Sequence, residues 1–178
     1  MNSIDKIIDE AKRIEEDSIY SAKGHFCTAK RWEKANFYLG IISAIAATLA
    51  GASAVSKLEF YNIHFGAIIA GVSSIVAAVL VSILTFVNPN KKAASHFNAG
   101  NCYKELQNDT RVFRIVEFVN LDEEVAKEKL NILNSRRNKL NRESDQIPDW
   151  AFEKARKGIE EGEANYSVDN EVHKDEQN

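Results

Sequence analysis

The sequence predicts an all-α chain: an antiparallel two-helix transmembrane hairpin joined to a cytosolic helical bundle or coiled coil, with an oligomer as the expected state. Three observations carry that prediction. Residues 35–56 are 22 consecutive positions without Asp, Glu, Lys, Arg or His, and residues 60–90 are 31 without Asp, Glu, Lys or Arg. Only nine residues, Ser56 to His64, link the two membrane spans within them, 37–55 and 65–87. Elsewhere the chain is dense in both charge signs and places its apolar residues at helical spacing.

Averages conceal this division. At 178 residues, 44% hydrophobic, 28% charged and a net charge of −3, the composition resembles one ordinary soluble domain. All 23 Lys+Arg and 26 Asp+Glu nevertheless lie outside the two runs. Eight Gly and two Pro argue against a turn-rich β-sandwich or barrel, and two Cys cannot make a disulfide framework. Near-neutral bulk charge gives no reason to expect a nucleic-acid binder. Four segments follow: a cytosolic helical segment, 1–35; the hairpin, 36–88, with spans at 37–55 and 65–87; cytosolic helices, 89–162; and a disordered acidic tail, 163–178.

In the first segment Ile4, Ile7, Ile8, Ala11 and Ile14 recur at helical spacing, with Ser3 as an N-cap. The spans are 19 and 23 residues long. At ~1.5 Å per residue they reach roughly 29 and 35 Å, enough for a hydrocarbon core of about 30 Å. A buried pair of soluble helices rarely runs so far without one charge. A signal peptide does not fit, because 35 residues rich in both charge signs precede the first span.

Orientation follows from the bases. Lys23, Lys30, Arg31 and Lys34 precede the first span, Lys91, Lys92 and Lys104 follow the second, and the link holds only Lys57. The positive-inside rule therefore predicts a multi-pass protein with both termini cytoplasmic. Trp32, Phe37 and Tyr38 at one end, and Phe60 and Tyr61 at the other, suit the interfacial aromatic belts.

Small residues mark close helix contacts in a bilayer. In the second span Ala67, Gly71, Ser74, Ala78, Ser82 and Thr85 fall in one sector, opposite a lipid face of Phe65, Ile69, Val72, Val76, Leu80, Ile83 and Val87. The first span carries Gly40, Ala44, Ala47 and Gly51, with Thr48 beside them. These rows either pack the hairpin's own two helices or face other copies or a lumen. No Asp, Glu, Lys or Arg sits at membrane depth, so any pore is expected to be poorly selective.

After the second span Asn88-Pro89 marks a break or restart. Ala93, Phe97, Gly100, Tyr103 and Leu106 share a face, and Asp122 is the expected N-cap of a helix bearing Ala126, Leu130, Leu133, Arg137 and Leu140 in a heptad-like row. A turn at Ser144–Pro148 leads to a short helix with Trp150, Phe152, Ala155 and Ile159. From Glu160 onward there are seven acids and one lysine.

Catalytic signatures are absent: there is no GxSxG, GxxxxGK[ST] or GxGxxG. No catalytic residue, enzyme activity or cofactor is expected. His25-x-Cys27 and His96-x5-Cys102 offer two His and two Cys, but neither has the usual zinc spacing, so helix packing is the favoured reading and no metal is expected. Arg136, Arg137, Lys139 and Arg142 form the densest basic cluster. It is either a face for a partner, a nucleotide, nucleic acid or acidic lipid, or a helix surface that pairs with nearby acids.

The charged N-terminal helix, the tight hairpin, the following KKAASHFNAGNCYKELQNDTR and the later LNSRRNKLNRESDQIPDWAFEKARKGIEEG together resemble the SLATT domain. The resemblance runs from about Ile14 to Gly162. It is sharpest at Ala94-x-His96-x2-Ala99-Gly100-x2-Tyr103-x2-Leu106 and from Leu133-x2-Arg136 to Ile147-Pro148. It implies a two-transmembrane effector of bacterial nucleotide-signalling or retron-like conflict systems, one that oligomerises and permeabilises the inner membrane in antiviral abortive infection. The implied partner is a separate sensor, of nucleotidyltransferase or reverse-transcriptase type. The family offers no catalytic residues to carry over. The alternative is a membrane-anchored scaffold that recruits a cytosolic signalling enzyme.

Overall fold

The computed structural model describes the backbone of residues 3–55 and 63–164 and the side chains of 3–52 and 68–164. Among these residues there is no strand. The helices are α1 (Ser3–Val55), α2 (Ile63–Val87), α3 (Pro89–Val112), α4 (Glu123–Glu143) and α5 (Asp149–Glu160). A π-helical turn, Phe113–Glu117, and a 3-10 turn, Phe118–Asn120, follow α3. Most of the expected link between the spans, 56–62, and the tail from 165 lie outside the described residues.

The N-terminal segment from Ser3 and the first span form one helix: α1 runs unbroken for 53 residues. Its sequence contains no proline, and so nothing to remove a backbone donor or clash with the preceding turn. The chain's two prolines sit at helix starts instead, Pro89 opening α3 and Pro148 immediately preceding α5.

The chain forms two compact units, one holding residues up to Ala29 and from Ser95 onward, the other Lys30–Ala94. In the first, α1, α3, the π-helical turn and α4 share a core of Ile7, Ala11, Ile14, Leu106, Phe113, Ala126 and Leu133. Ion pairs brace its outside: Arg114 to Glu15 at 3.0 Å, Arg137 to Asp17 at 3.0 Å and Lys129 to Glu117 at 2.8 Å. Ser3 donates to Glu123 at 2.5 Å, and Asp122, at the N-cap of α4, makes no side-chain capping bond.

The π-helical turn has a packing consequence. Phe113 and Phe118 are five residues apart, which an α-helix would turn away from each other. The wider turn brings their rings edge to face, 5.9 Å apart and at 88°.

On α5 the buried face is Ala151, Ala155 and Gly158, while Trp150 and Phe152 are exposed. Close helix approach selects the small side chains for this face and leaves the two aromatics outside it. Phe97 is likewise exposed, and its place in the α3 seam is taken by His96. Glu163 lies in the turn after α5 and pairs with Lys23.

In the second unit the inward stripes alternate spacings of three and four. On α1 they are Trp32, Asn36, Leu39, Ser43, Ala46 and Ala50, and on α2 Ala70, Ser73, Ala77, Leu80 and Leu84. Ser43 and Ala46 are buried. Leu80 belongs to this stripe rather than to the exposed face expected for it, whereas Ile69, Val72, Val76, Ile83 and Val87 are exposed.

Between α2 and α3, Asn88 adopts a left-handed backbone with φ of 43°. Its Oδ1 accepts the Lys91 N–H at 3.1 Å, capping α3 with Pro89 at the first helical position. Lys92 lies 5.4 Å from the centre of the Trp32 ring.

Candidate functional site

Three groups of residues were singled out by sequence, and the structure treats each differently. The buried histidines come together. His25, on α1, and His96, on α3, place their Nδ1 atoms 2.9 Å apart, and they are 1% and 5% exposed. Tyr103 stacks on His25 with ring centres 5.5 Å apart at 18°, and its hydroxyl donates to Asn141 Oδ1 at 2.7 Å. Ser95 donates to Asp145 at 3.0 Å. Helical periodicity explains the convergence, since Ser18, Ala22, His25 and Ala29 continue the inward stripe of α1, as Ala93, His96, Gly100 and Tyr103 do on α3.

Small residues permit this closeness. A Cβ on Gly100 would stand 2.7 Å from the Phe26 ring, and one on Gly24 would stand 3.0 Å from Ile147.

The electrostatics follow from burial. Desolvation chiefly, and the neighbouring His96 with it, lower the His25 pKa to about 4, while Asp145 opposes both. Burial raises the Tyr103 pKa. His25 is therefore a neutral imidazole at pH 7. The cysteines do not complete a zinc site: Cys27 and Cys102 are free and half-buried. Among the described residues no group of three His, Cys, Asp or Glu could hold a metal ion.

The small-residue rows lie outside the pair's inward stripes. Gly71, Ser74, Ala78, Ser82 and Thr85 are exposed, as are Ala44, Ala47, Thr48 and Gly51, while Gly40 is half-buried. The Ala67 side chain is outside the described residues. Ser74, Ser82, Thr48 and Thr85 donate to the carbonyls four residues back at 2.8–2.9 Å, so these hydroxyls are satisfied within their own helices.

In the basic cluster, Arg136 reaches Glu105 at 2.8 Å and Asp109 at 2.5 Å, and Arg137 reaches Asp17 and Asn134. Burial works against the Arg136 charge, but the two carboxylates outweigh it and raise its pKa. Lys139 and Arg142 are exposed. Two of the four bases thus tie α4 to α3 and α1.

Sequence reasoning missed an apolar patch in the first unit, where Val112, Ile115, Val116, Val119 and Ile132 are exposed. Beside it lies a groove of about 350 Å³ lined by Asp109, Val112, Phe113, Glu117, Lys129, Ile132 and Leu133. The run Ile115-Val116 flanked by charges was its only sequence signal.

α1 and α2 each contain a segment long and apolar enough to cross a membrane, and only 11% and 6% of those segments is buried. No family model, curated protein or solved structure matches the chain.

Proposed function

We propose that this chain is a multi-pass protein of the bacterial inner membrane, with α1 and α2 forming an antiparallel hairpin and both termini in the cytoplasm. It acts as a non-enzymatic, homo-oligomeric effector that permeabilises that membrane in an antiviral, abortive-infection response, triggered by a separate sensor. The observation that carries this reading is the exposure of the apolar segments, of which 11% and 6% is buried. The core helix of a soluble protein would bury most of such a segment, whereas lipid solvates it without cost. The exposed row from Gly71 to Thr85 supports assembly, because it leaves a close-packing surface outside the inward stripe of α2. Self-bonded hydroxyls and the lack of charge suit contact between copies or a weakly selective lumen. The defence context and the sensor rest on the resemblance to the SLATT domain.

The exposed apolar patch at Val112, Ile115, Val116 and Val119 favours the second reading, a membrane-anchored scaffold that recruits a cytosolic signalling enzyme. One experiment separates the two. Cells carrying the cognate trigger would express either the native chain or one with residues 36–88 replaced by an unrelated two-span anchor, and uptake of an impermeant dye would be followed. The effector reading expects uptake with the native chain only. Viable, impermeable cells in both cases would contradict it, and retained function on the foreign anchor would establish the scaffold.

A further inference from the structure

We propose that His25 and His96 form a proton-operated latch that fastens α1 to α3 while the pair carries no charge or one, and lets go when both rings become charged. At 2.9 Å, one Nδ1 must donate a hydrogen and the other must accept it. Two neutral imidazoles satisfy this, and so does one imidazole beside one imidazolium. Two imidazolium rings do not, because both Nδ1 atoms then carry hydrogens that point into the same gap. The rings are 1% and 5% exposed, so water cannot screen the second charge while the contact is closed.

The groups facing the pair agree with a single-charge limit. From α3 come His96 itself and Tyr103, whose phenol is neutral and engaged with Asn141 of α4. From the link between α4 and α5 comes Asp145, whose carboxylate attracts a positive His25 and accepts a hydrogen bond from Ser95. Lys23, two residues before His25 on α1, is paired with Glu163 in the turn after α5. Asp145 therefore offers one negative charge, enough to offset one imidazolium. Burial and the neighbouring ring keep the His25 pKa at about 4, so the latch is shut at neutral pH and opens only on acidification. This inference concerns contacts within one compact unit and does not depend on membrane permeabilisation.

The test uses the full-length chain in lipid nanodiscs with ¹⁵N-labelled histidine. Near neutral pH, nitrogen NMR is expected to show one Nδ1–H donor and one Nδ1 acceptor at His25 and His96. As pH falls from about 7 to about 4, that signature should vanish together with a roughly tenfold or greater rise in amide exchange, corrected for its intrinsic pH dependence, over residues 18–29 and 95–106. His96→Asn removes one of the two charges, so its exchange should stay nearly flat across that range. The latch is overturned if both rings titrate independently near pH 6.5, or if they stay joined when both are charged. An unchanged acid-induced opening in His96→Asn would overturn it too. Should that variant fail to fold, the titration of the native chain decides alone.

Discussion

The Nδ1 atoms of His25 and His96 lie 2.9 Å apart although 71 residues separate them in the chain. A buried, neutral His25 makes stability depend on pH. Its pKa is about 4 when folded against an ordinary value of 6.5, so between those limits the unfolded chain binds more protons. Stability from this site is fully present above pH 6.5 and is lost as pH falls towards 4. The loss amounts to about 3 kcal/mol if the whole shift is realised. Denaturant titrations at about pH 7 and about pH 4.5 check this. His25→Gln is expected to be less stable at neutral pH but flatter across the interval.

Gly100→Ala is expected to be destabilising, by about 1–3 kcal/mol. The new Cβ would stand 2.7 Å from the Phe26 ring, which itself lies 5.7 Å from Phe97. Gly40→Ala is the matched control, because nothing lies within 4 Å of its Cβ position. Its melting temperature in detergent should stay unchanged or rise slightly, as expected for a helical Gly→Ala change.

Arg136→Gln removes ion pairs to both Glu105 and Asp109, and its expected effect is a loss of about 1 kcal/mol. Lys139→Gln, at an exposed site three residues on, should change stability by less than about 0.5 kcal/mol. Raising salt should narrow the difference between the two variants. Equal effects in chemical unfolding would contradict the bracing role of Arg136.

Asn88→Gly should be mild, since glycine accepts the left-handed backbone and costs only a few tenths of a kcal/mol as a cap. Asn88→Val loses the bond to the Lys91 N–H and strains a β-branched residue at φ of 43°. About 2 kcal/mol or more should be lost. Circular dichroism melts of the two variants would separate cap from conformation.

Much of this architecture was legible in the sequence because it is local. Charge-free runs announce the apolar helices, Asn88-Pro89 announces a helix restart, and the Ala126–Leu140 row announces the inward face of α4. What escaped is non-local or a matter of volume. Nothing in the spacing of His25 and His96 says that their helices touch there. Nor does the presence of Trp150 and Phe152 say which side of α5 is buried: helices in close contact at Ala151, Ala155 and Gly158 leave such rings outside. The basic cluster read as four equivalent charges, and only tertiary pairing separates Arg136 and Arg137 from Lys139 and Arg142. The π-helical turn has no composition signal at all, and it decides where Phe118 packs.

The central claim is that the exposed small-residue row of α2 is where copies of this chain meet in a membrane. Cysteine crosslinking in native membranes tests it most directly. In a background carrying Cys27→Ser and Cys102→Ala, Ser74→Cys would be compared with Val76→Cys, two exposed positions on opposite flanks of α2. Covalent dimers from Ser74→Cys, with few or none from Val76→Cys, are the expected result. Equal crosslinking at both positions, or none at Ser74→Cys in membranes where the chain is abundant, would contradict it.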